Sequence, residues 1–360
     1  MKLPSHGSNP QYVYRTLGMK MPDQLLDFSV NINPLGPPAI LQKKWPHWFS
    51  LIQDYPDPKA EALKKKLAEV NHIDEQFLTI GNGAAELITL IAQLLRGKKI
   101  IIIQPAFSEY EKACQAQDCQ IYYHHLHEPD WELYLDSLYP KLADCDALFL
   151  CNPNNPTGIV HEEKVVRKLI AACEKMNCLL IIDEAFYDFS PSQHSYIKET
   201  RKSDKLIILR SMTKMYRVAG LRLGYLIAQP EIVRQLNKLK PHWSINAIAM
   251  QAGETCLSDT QFVQETSKYI EQERERLFTF YENYDFIISH SKVNYYLLKD
   301  PYANMQHLYT FLLKKGIVPR HTWNFPGLDG RWIRLAIKAR KENDRLMEVL
   351  KEWRNHQSFS

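Results

Sequence analysis

The chain has 360 residues, which is enough for about two domains. Its 45% hydrophobic and 24% charged residues are ordinary for a soluble globular protein and exclude a disordered, collagen-like or disulfide-stapled chain. The 45 basic and 41 acidic residues leave a net charge of +4, which is too small to indicate a nucleic-acid or membrane partner.

The cysteine pattern and the apolar runs bear on where the protein works. The seven Cys residues are sparse and include no C-x-x-C pair, so we interpret them as reduced thiols of a cytoplasmic protein. The N-terminus has no apolar signal core, and the longest apolar runs are strand-sized.

Short apolar strands alternate with amphipathic helices over most of the chain. We predict strands at 77–80, 100–103, 120–123, 147–151, 179–182, 206–209 and 223–227, and helices at 59–70, 84–95 and 162–176. Parallel strands need crossover connections, so this alternation predicts an α/β domain with a mostly parallel sheet.

The pattern changes near Pro230. The remaining segments predict helices at 231–239, 246–257, 261–281, 308–315 and 343–354, and strands at 293–298, 317–320 and 332–337. We therefore predict a large α/β domain over residues 36–240. A small α+β domain would comprise 241–360 together with 1–35, a turn-rich arm that closes over the substrate.

Two glycine- or asparagine-rich turns follow predicted strands. Gly83-Ala84-Ala85 begins a helix, and a helix N-terminus with unpaired N–H groups suits a phosphate; the alternative is a tight strand–helix turn. Asn155 lies in the rigid loop 152–158, at the strand edge where α/β proteins bind ligands; the alternative is a structural turn.

Ionisable residues follow two further strands. Asp183 and Glu184 are adjacent, so a strand directs them to opposite faces and at most one faces a shared ligand; the alternative is a surface pair. Lys214 follows Ser211 and Thr213 and precedes Arg222. Neighbouring cations lower the pKa of a lysine and favour a nucleophile; the alternative is an ordinary surface lysine.

In this order, these segments resemble the fold type I pyridoxal-phosphate enzymes of the class I/II aminotransferase kind, over essentially the whole chain. The resemblance implies pyridoxal 5′-phosphate as cofactor, a Schiff base on Lys214, Asp183 at the ring nitrogen and Asn155 at the ring hydroxyl. It implies these further cofactor-binding residues: Gly83, Ala84, Ala85, Phe107, Ser211, Thr213, Arg222 and, from the neighbouring subunit, Tyr55.

One position departs from ordinary transaminases. Many of them carry a tyrosine where this chain has Phe186, and Tyr187 would point the other way. Phe186 and the stretches 6–9, 27–36, 243–246 and 325–329 resemble the threonine-phosphate decarboxylase branch of the family. That branch implies His6, Asn31 and Arg320 around the substrate phosphate, Arg334 on the carboxylate, and Asn155 also near the substrate.

The resemblance to this branch implies decarboxylation of L-threonine O-3-phosphate to (R)-1-amino-2-propanol phosphate in cobalamin biosynthesis, through an external aldimine and a quinonoid. It also implies a homodimer with shared active sites. The alternatives are a histidinol-phosphate aminotransferase and a non-catalytic binding protein of the same fold. His6 could instead be an unstructured terminal residue. The histidines in 122–127 lack metal-ligand spacing, so we predict no metal site.

Overall fold

The computed structural model describes residues 3–190 and 194–357. In these ranges the strands are β1 Leu26–Asp27, β2 Leu78–Asn82, β3 Lys99–Gln104, β4 Gln120–His125, β5 Ala147–Cys151, β6 Leu179–Asp183, β7 Leu206–Ser211, β8 Leu223–Ile227, β9 Ile287–Ile288, β10 Tyr295–Lys299, β11 Ile317–Val318, β12 Arg320–His321 and β13 Ile333–Ala336.

The same ranges contain α-helices and short 3₁₀ segments. The α-helices are α1 Pro10–Leu17, α2 Ala39–Lys44, α3 Glu61–Asn71, α4 Gly83–Leu94, α5 Glu109–Gln115, α6 Tyr139–Leu142, α7 Glu163–Lys175, α8 Pro230–Leu239, α9 Ala247–Leu257, α10 Thr260–Asn283, α11 Met305–Lys314 and α12 Arg340–Gln357. The 3₁₀ segments are Trp45–Ile52, Glu75–Phe77, Tyr187–Phe189, Ile197–Arg201 and Ala219–Leu221.

The central sheet confirms the predicted α/β class. Its strand order is β2-β8-β7-β6-β5-β3-β4. Strands β4, β3, β5, β6 and β7 run parallel, whereas β8 is antiparallel to both β7 and β2. Successive strand residues point to opposite faces, so Ile181 and Ile182 enter two different apolar cores. Helices cover both faces, as a parallel sheet requires.

Two smaller sheets bring the chain termini together. Strands β12, β13, β10 and β9 form an antiparallel sheet. Strand β1 pairs in parallel with β11, Leu26 opposite Ile317 and Asp27 opposite Val318. The N-terminal segment is therefore held against C-terminal elements. The domain division at residues 36 and 240 stays a prediction.

The N-terminal segment is more regular than its sequence indicates. Helix α1 was not predicted, because two turns are too short for a clear apolar period. Pro10 starts the helix, Gly18 ends it in a left-handed conformation, and the Tyr14 hydroxyl donates to the Leu313 carbonyl at 2.7 Å. Helices α2 and α5 were also missed, and the predicted strand 317–320 is two short strands.

All seven cysteines are free. No helix within the described ranges is both long and apolar enough to cross a bilayer.

Candidate active site

The carboxyl ends of the parallel strands open into a cavity of about 240 Å³. Loops after β5, β6 and β7 meet there with the N-terminal arm and the sheet that contains β12 and β13. The predicted site residues in its wall are His6, Asn31, Phe107, Asn155, Thr213, Lys214, Arg222, Arg320 and Arg334. Residues more than 300 positions apart in the sequence thus share one pocket.

Lys214 projects into this cavity from the turn after β7. Its Nζ donates to the Ser211 Oγ at 3.1 Å and lies 5.6 Å from the centre of the Phe186 ring. Burial lowers the pKa of Lys214; the charge of Asp183 opposes this shift, and that of Arg222 adds to it. A lowered pKa enlarges the neutral amine fraction that can attack a carbonyl carbon.

Asp183 lies at the end of β6 and is only 5% exposed. The Tyr110 hydroxyl donates to its Oδ2 at 2.5 Å, and the Ala185 backbone N–H donates to its Oδ1 at 2.9 Å. Burial raises the pKa of Asp183, while the hydrogen bond from Tyr110 and the charge of Lys214 act in the opposite direction. The carboxylate is thus held rigidly beside the lysine.

Two hydroxyls, a guanidinium and a helix start form an anion cradle. The Ser211 and Thr213 hydroxyl oxygens lie 2.8 Å apart. Gly83 begins α4 with φ +76°, and a Cβ there would come within 2.6 Å of the Arg222 Nη2. No side chain caps this helix start. The first-turn N–H groups are therefore available to an anion, together with the Arg222 guanidinium.

Arg320 and Arg334 face each other across β12 and β13 and are 3% and 6% exposed. Arg320 donates to the Ser5 and His321 carbonyls at 2.6 and 2.8 Å, and to the Asn324 Oδ1 at 2.7 Å. Like charges at directly opposed strand positions are destabilising. Burial lowers the pKa of Arg320, and the charge of Arg334 lowers it further.

Arg334 links the loop that carries Asn155 to the N-terminal segment. It donates to the Asn155 Oδ1 and to the Ser29 carbonyl, the latter at 2.9 Å, while its buried Nε has no hydrogen-bond partner. Burial lowers the pKa of Arg334 as well. Among the described residues, no carboxylate lies within 4 Å of either guanidinium, so neither cation forms an ion pair, although the charge of Asp27 acts on Arg334 from farther away.

The N-terminal arm forms part of the cavity wall. The Pro4 and Ser5 carbonyls contact His321 and Arg320, and the His6 Nε2 lies 2.8 Å from the Glu109 Oε1. A Cβ on Gly7 would come within 2.4 Å of the Ser29 carbonyl oxygen, so only glycine lets the arm approach this closely. His6 is therefore placed in the site.

Asn31 also lines the cavity and is buried, and its Oδ1 has no partner. This oxygen is an acceptor held away from solvent, which suits a hydroxyl or a protonated group on a ligand.

Three neighbouring residues lie elsewhere. Glu184 points to the opposite sheet face and pairs with Arg210 at 3.4 Å, in keeping with its predicted alternation with Asp183. Tyr187 packs on the Arg210 guanidinium, 3.8 Å from its ring centre, and so leaves the site, as predicted. Tyr55 is 82% exposed and stacks on Trp243 with ring centres 4.8 Å apart, outside this chain's own cavity.

Sequence reasoning missed several supporting residues. Tyr110 fixes Asp183, and the fully buried Asn33 donates from its side chain to the Met215 carbonyl and to the Thr266 Oγ1, each at 2.8 Å. The backbone N–H of Asn33 donates to the Lys214 carbonyl at 3.0 Å. Asn33 stands in the extended stretch that the sequence singled out, but no local pattern revealed its partners.

Comparisons with known proteins identify the family of this chain. Residues 23–351 match the family model described as aminotransferase class I and II. Over 350 residues the chain is 35% identical to the threonine-phosphate decarboxylase of Salmonella typhimurium, covering 96% of each chain. It is 27% identical to the histidinol-phosphate aminotransferase of Methanocaldococcus jannaschii, covering 96% of this chain and 93% of the relative.

Solved structures show the same fold. The histidinol-phosphate aminotransferase of Clostridium acetobutylicum has a TM-score of 0.87 and 32% identity, covering 92% of this chain and all of that one. The L-threonine-O-3-phosphate decarboxylase of Porphyromonas gingivalis has a TM-score of 0.82 at 23% identity, covering 91% of this chain and 98% of that one.

The residues present fit pyridoxal 5′-phosphate. The cradle at Gly83 and Arg222 suits its phosphate, the carboxylate of Asp183 suits a protonated ring nitrogen, and Lys214 supplies the amine for its aldehyde. These individual roles stay predictions, whereas the enzyme class does not depend on them. The chain belongs to the class I and II aminotransferase family, and its cofactor is pyridoxal 5′-phosphate.

Proposed function

We propose that this enzyme decarboxylates L-threonine O-3-phosphate to (R)-1-amino-2-propanol phosphate, a step of cobalamin biosynthesis. The observation that carries the proposal is the pair of buried arginines without ion-pair partners, Arg320 and Arg334, beside Lys214. A substrate with a phosphate at one end and a carboxylate at the other supplies both missing anions. The 35% identity to the Salmonella decarboxylase supports the same substrate.

The reaction breaks the bond between the α-carbon and the carboxylate carbon, releases CO₂ and adds a proton to the α-carbon. The cofactor, when bound, accepts the electron pair that this cleavage leaves behind. The protein decides which α-carbon bond breaks by fixing the substrate. Arg334 would hold the carboxylate, and Arg320 with His6 and the side-chain N–H of Asn31 would hold the phosphate, so the two ends of the substrate together would set which α-carbon bond is placed for cleavage.

Proton movement falls to the groups around Lys214. Its amine must be neutral to attack, and burial favours that state. The Ser211 hydroxyl at 3.1 Å can hold the Nζ in place. Lys214 or a water molecule then supplies the proton that replaces CO₂. The arm that carries His6 covers part of the cavity wall, which would reduce the access of bulk water that competes for the guanidinium groups.

Phe186 favours the decarboxylase over the aminotransferase. Histidinol-phosphate aminotransferase is the second candidate, favoured by the 32% identity to the Clostridium structure. Phe186 is 4% exposed, packs edge-on against Tyr295 at 4.8 Å and offers no hydroxyl to the cavity. The Tyr295 hydroxyl is engaged with the Asn154 carbonyl at 2.9 Å. Tyr295 therefore cannot supply the hydroxyl that a transaminase with a tyrosine at position 186 would use.

The test supplies phosphothreonine without any keto acid and measures CO₂ and the phosphorylated amine. We expect equal amounts of both, from catalytic amounts of enzyme. Parallel reactions receive histidinol phosphate with 2-oxoglutarate, and unphosphorylated threonine. Amino transfer from histidinol phosphate without CO₂ from phosphothreonine would overturn the proposal in favour of the aminotransferase. Protein that binds no cofactor and turns over neither substrate would indicate a non-catalytic binding protein.

A matched pair of variants ties the activity to the proposed cations. Arg334→Gln removes the carboxylate clamp, whereas Arg331→Gln, three residues earlier, removes an exposed arginine that pairs with the half-buried Glu128 outside the cavity lining. We expect Arg334→Gln to raise the KM for phosphothreonine and lower kcat, and Arg331→Gln to change neither by more than about twofold. Equal losses in both variants would count against the assigned clamp.

We also propose a homodimer in which Tyr55 completes the partner's site. Tyr55, Phe49, Ile52 and Trp45 are 82%, 70%, 59% and 51% exposed, and apolar residues grouped in this way indicate an interface. Seven free cysteines support a cytoplasmic location.

Mixed dimers test the shared site. Tyr55→Ala and Lys214→Ala subunits are each expected to be impaired alone, and co-refolding them should restore activity through hybrid sites. No recovery in mixtures that gel filtration shows to contain dimers, or an active monomer, would contradict the shared site.

A further inference from the structure

We propose that Tyr110 is a positioning residue for the cofactor and acts through the carboxylate of Asp183. The inference rests on the proposed role of Asp183 at the cofactor ring nitrogen. Tyr110 comes from α5, far from Asp183 in the sequence, and it is 0% exposed. Its hydroxyl donates to the Asp183 Oδ2 at 2.5 Å.

The hydrogen bonds to Asp183 leave room for a ligand. The Ala185 N–H occupies one position on Oδ1 and the Tyr110 hydroxyl one position on Oδ2. An ionised carboxylate accepts at about four lone-pair positions, so each oxygen can take one more donor. The two protein donors fix the plane of the carboxylate and leave the remaining positions for a protonated ring nitrogen.

The Tyr110 ring is itself held by aromatic neighbours. It stacks on Phe149 with ring centres 5.2 Å apart and planes at 18°, and it meets Phe107 edge-on at 5.8 Å. Phe107 is the residue predicted to lie on the cofactor ring. Tyr110 therefore contacts both Phe107, predicted at the ring face, and Asp183, predicted at the ring nitrogen, and fixes the position of one relative to the other.

Electrostatics supports the same role. Burial raises the pKa of Asp183, and the Tyr110 hydroxyl counteracts that rise. Burial and the Asp183 charge raise the pKa of Tyr110 well above its ordinary value, so its hydroxyl remains a donor across the working pH range. Without this hydroxyl, Asp183 would take up a proton at a higher pH and lose the charge that pairs with the ring nitrogen.

The variant Tyr110→Phe keeps the ring and removes only the hydroxyl. We expect the Kd for the cofactor to increase by about tenfold or more, because hydrogen bonds to charged groups are stronger than those between neutral groups. As the pH is lowered, cofactor affinity should begin to fall at a higher pH in Tyr110→Phe than in the unchanged protein. Equilibrium titration of cofactor-free protein, followed by cofactor absorbance, measures both. An unchanged affinity and an unchanged pH profile would overturn the proposal.

Two further variants separate positioning from general packing. Tyr281→Phe removes a buried hydroxyl paired with Tyr296, remote from Asp183. We expect it to lower the free energy of unfolding without changing cofactor affinity. If Tyr281→Phe weakened cofactor binding as much as Tyr110→Phe, the effect would be general loosening of the fold, and the proposal would fail.

Asp183→Asn distinguishes failure of this inference from failure of the role on which it rests. We expect Asp183→Asn to weaken cofactor binding strongly, and Tyr110→Phe to add much less in that background than alone. A full additional loss would show that Tyr110 acts independently of Asp183 and would overturn the inference. No effect of Asp183→Asn itself would overturn the Asp183 role.

Discussion

Two buried charge clusters lie on opposite faces of the same two strand ends. On one face, Glu184 and Asp188 surround the Arg210 guanidinium at 3.4 and 3.6 Å. On the other face lies Asp183, with Ser211 and Lys214 close by, and beyond them the cavity reaches Arg320 and Arg334. Strand alternation alone separates the two clusters, because Asp183 and Glu184 are consecutive.

The clusters differ in whether their charges are matched. Glu184 also accepts from the Tyr196 N–H at 2.8 Å and the Ser195 hydroxyl at 2.7 Å, so protein groups satisfy it. In the part of the chain that the structure describes, no carboxylate pairs with Arg320 or Arg334. Removing one partner of a buried ion pair destabilises the fold, because the other charge is left uncompensated, whereas a buried charge without an ion-pair partner is typical of a ligand site.

The largest expected effect comes from removing Lys214, which lies in the same cavity as the two arginines without ion-pair partners. Lys214→Ala should lower the rate of phosphothreonine decarboxylation by at least about a thousandfold, because no other lysine of the described ranges lines the cavity. Reduction with borohydride followed by mass spectrometry should find the cofactor on Lys214 in the unchanged protein and on no lysine in the variant. Cofactor attached at another lysine would refute the assignment.

The two unmatched arginines should each carry part of the substrate charge. Arg320→Gln should lower kcat/KM for phosphothreonine by about a hundredfold, the usual cost of removing one partner of a buried charge pair. The same variant should bind unphosphorylated threonine as weakly as the unchanged protein does. If Arg320→Gln lost affinity for both ligands equally, Arg320 would not recognise the phosphate.

Stability against pH should reveal the burial of Lys214. Its pKa is lowered in the folded protein from 10.5, so between the folded pKa and 10.5 the unfolded chain binds the extra proton. The contribution of Lys214 to stability therefore increases as the pH rises through that window. At neutral pH the free energy of unfolding of the cofactor-free protein should be lower than that of Lys214→Met, and this difference should narrow as the pH approaches 10.5. A gap that is constant with pH would contradict the lowered pKa.

The smallest effect should come from Phe186→Tyr. A hydroxyl added to this ring can make one new hydrogen bond, which is worth up to about tenfold in rate. We expect the fraction of turnovers that end in amino transfer to increase, measured as the amine form of the cofactor per CO₂ released. A variant with the same ratio as the unchanged enzyme would show that residue 186 does not influence the choice of reaction.

The positions of the site residues at strand ends could be predicted from the sequence, whereas their long-range partners could not. Strand ends are visible in the sequence, because apolar runs stop at or shortly before Asp183, Ser211 and Asn155. Asn155 lines the cavity, and Ser211 accepts a hydrogen bond from Lys214, which also lines it. The pairing of Asp183 with Tyr110, and of Arg320 with Ser5, could not be predicted. Such contacts join residues 73 and 315 positions apart, and only the packed fold brings them together.

Short elements were missed for a related reason. Helix α1 has eight residues, too few for a helical period to stand out, and its position is fixed by the Tyr14 contact with Leu313.

The most direct test compares one arginine from each cluster in the cofactor-free protein. Arg210→Met leaves Glu184 and Asp188 without a cation, so the free energy of unfolding should fall by about 3–5 kcal/mol. Arg334→Met removes a cation that has no carboxylate partner, so stability should be unchanged or increased while decarboxylation is lost. Denaturant unfolding of both variants decides the matter. A loss of stability in Arg334→Met equal to that in Arg210→Met would contradict the central claim that the site charges await a ligand.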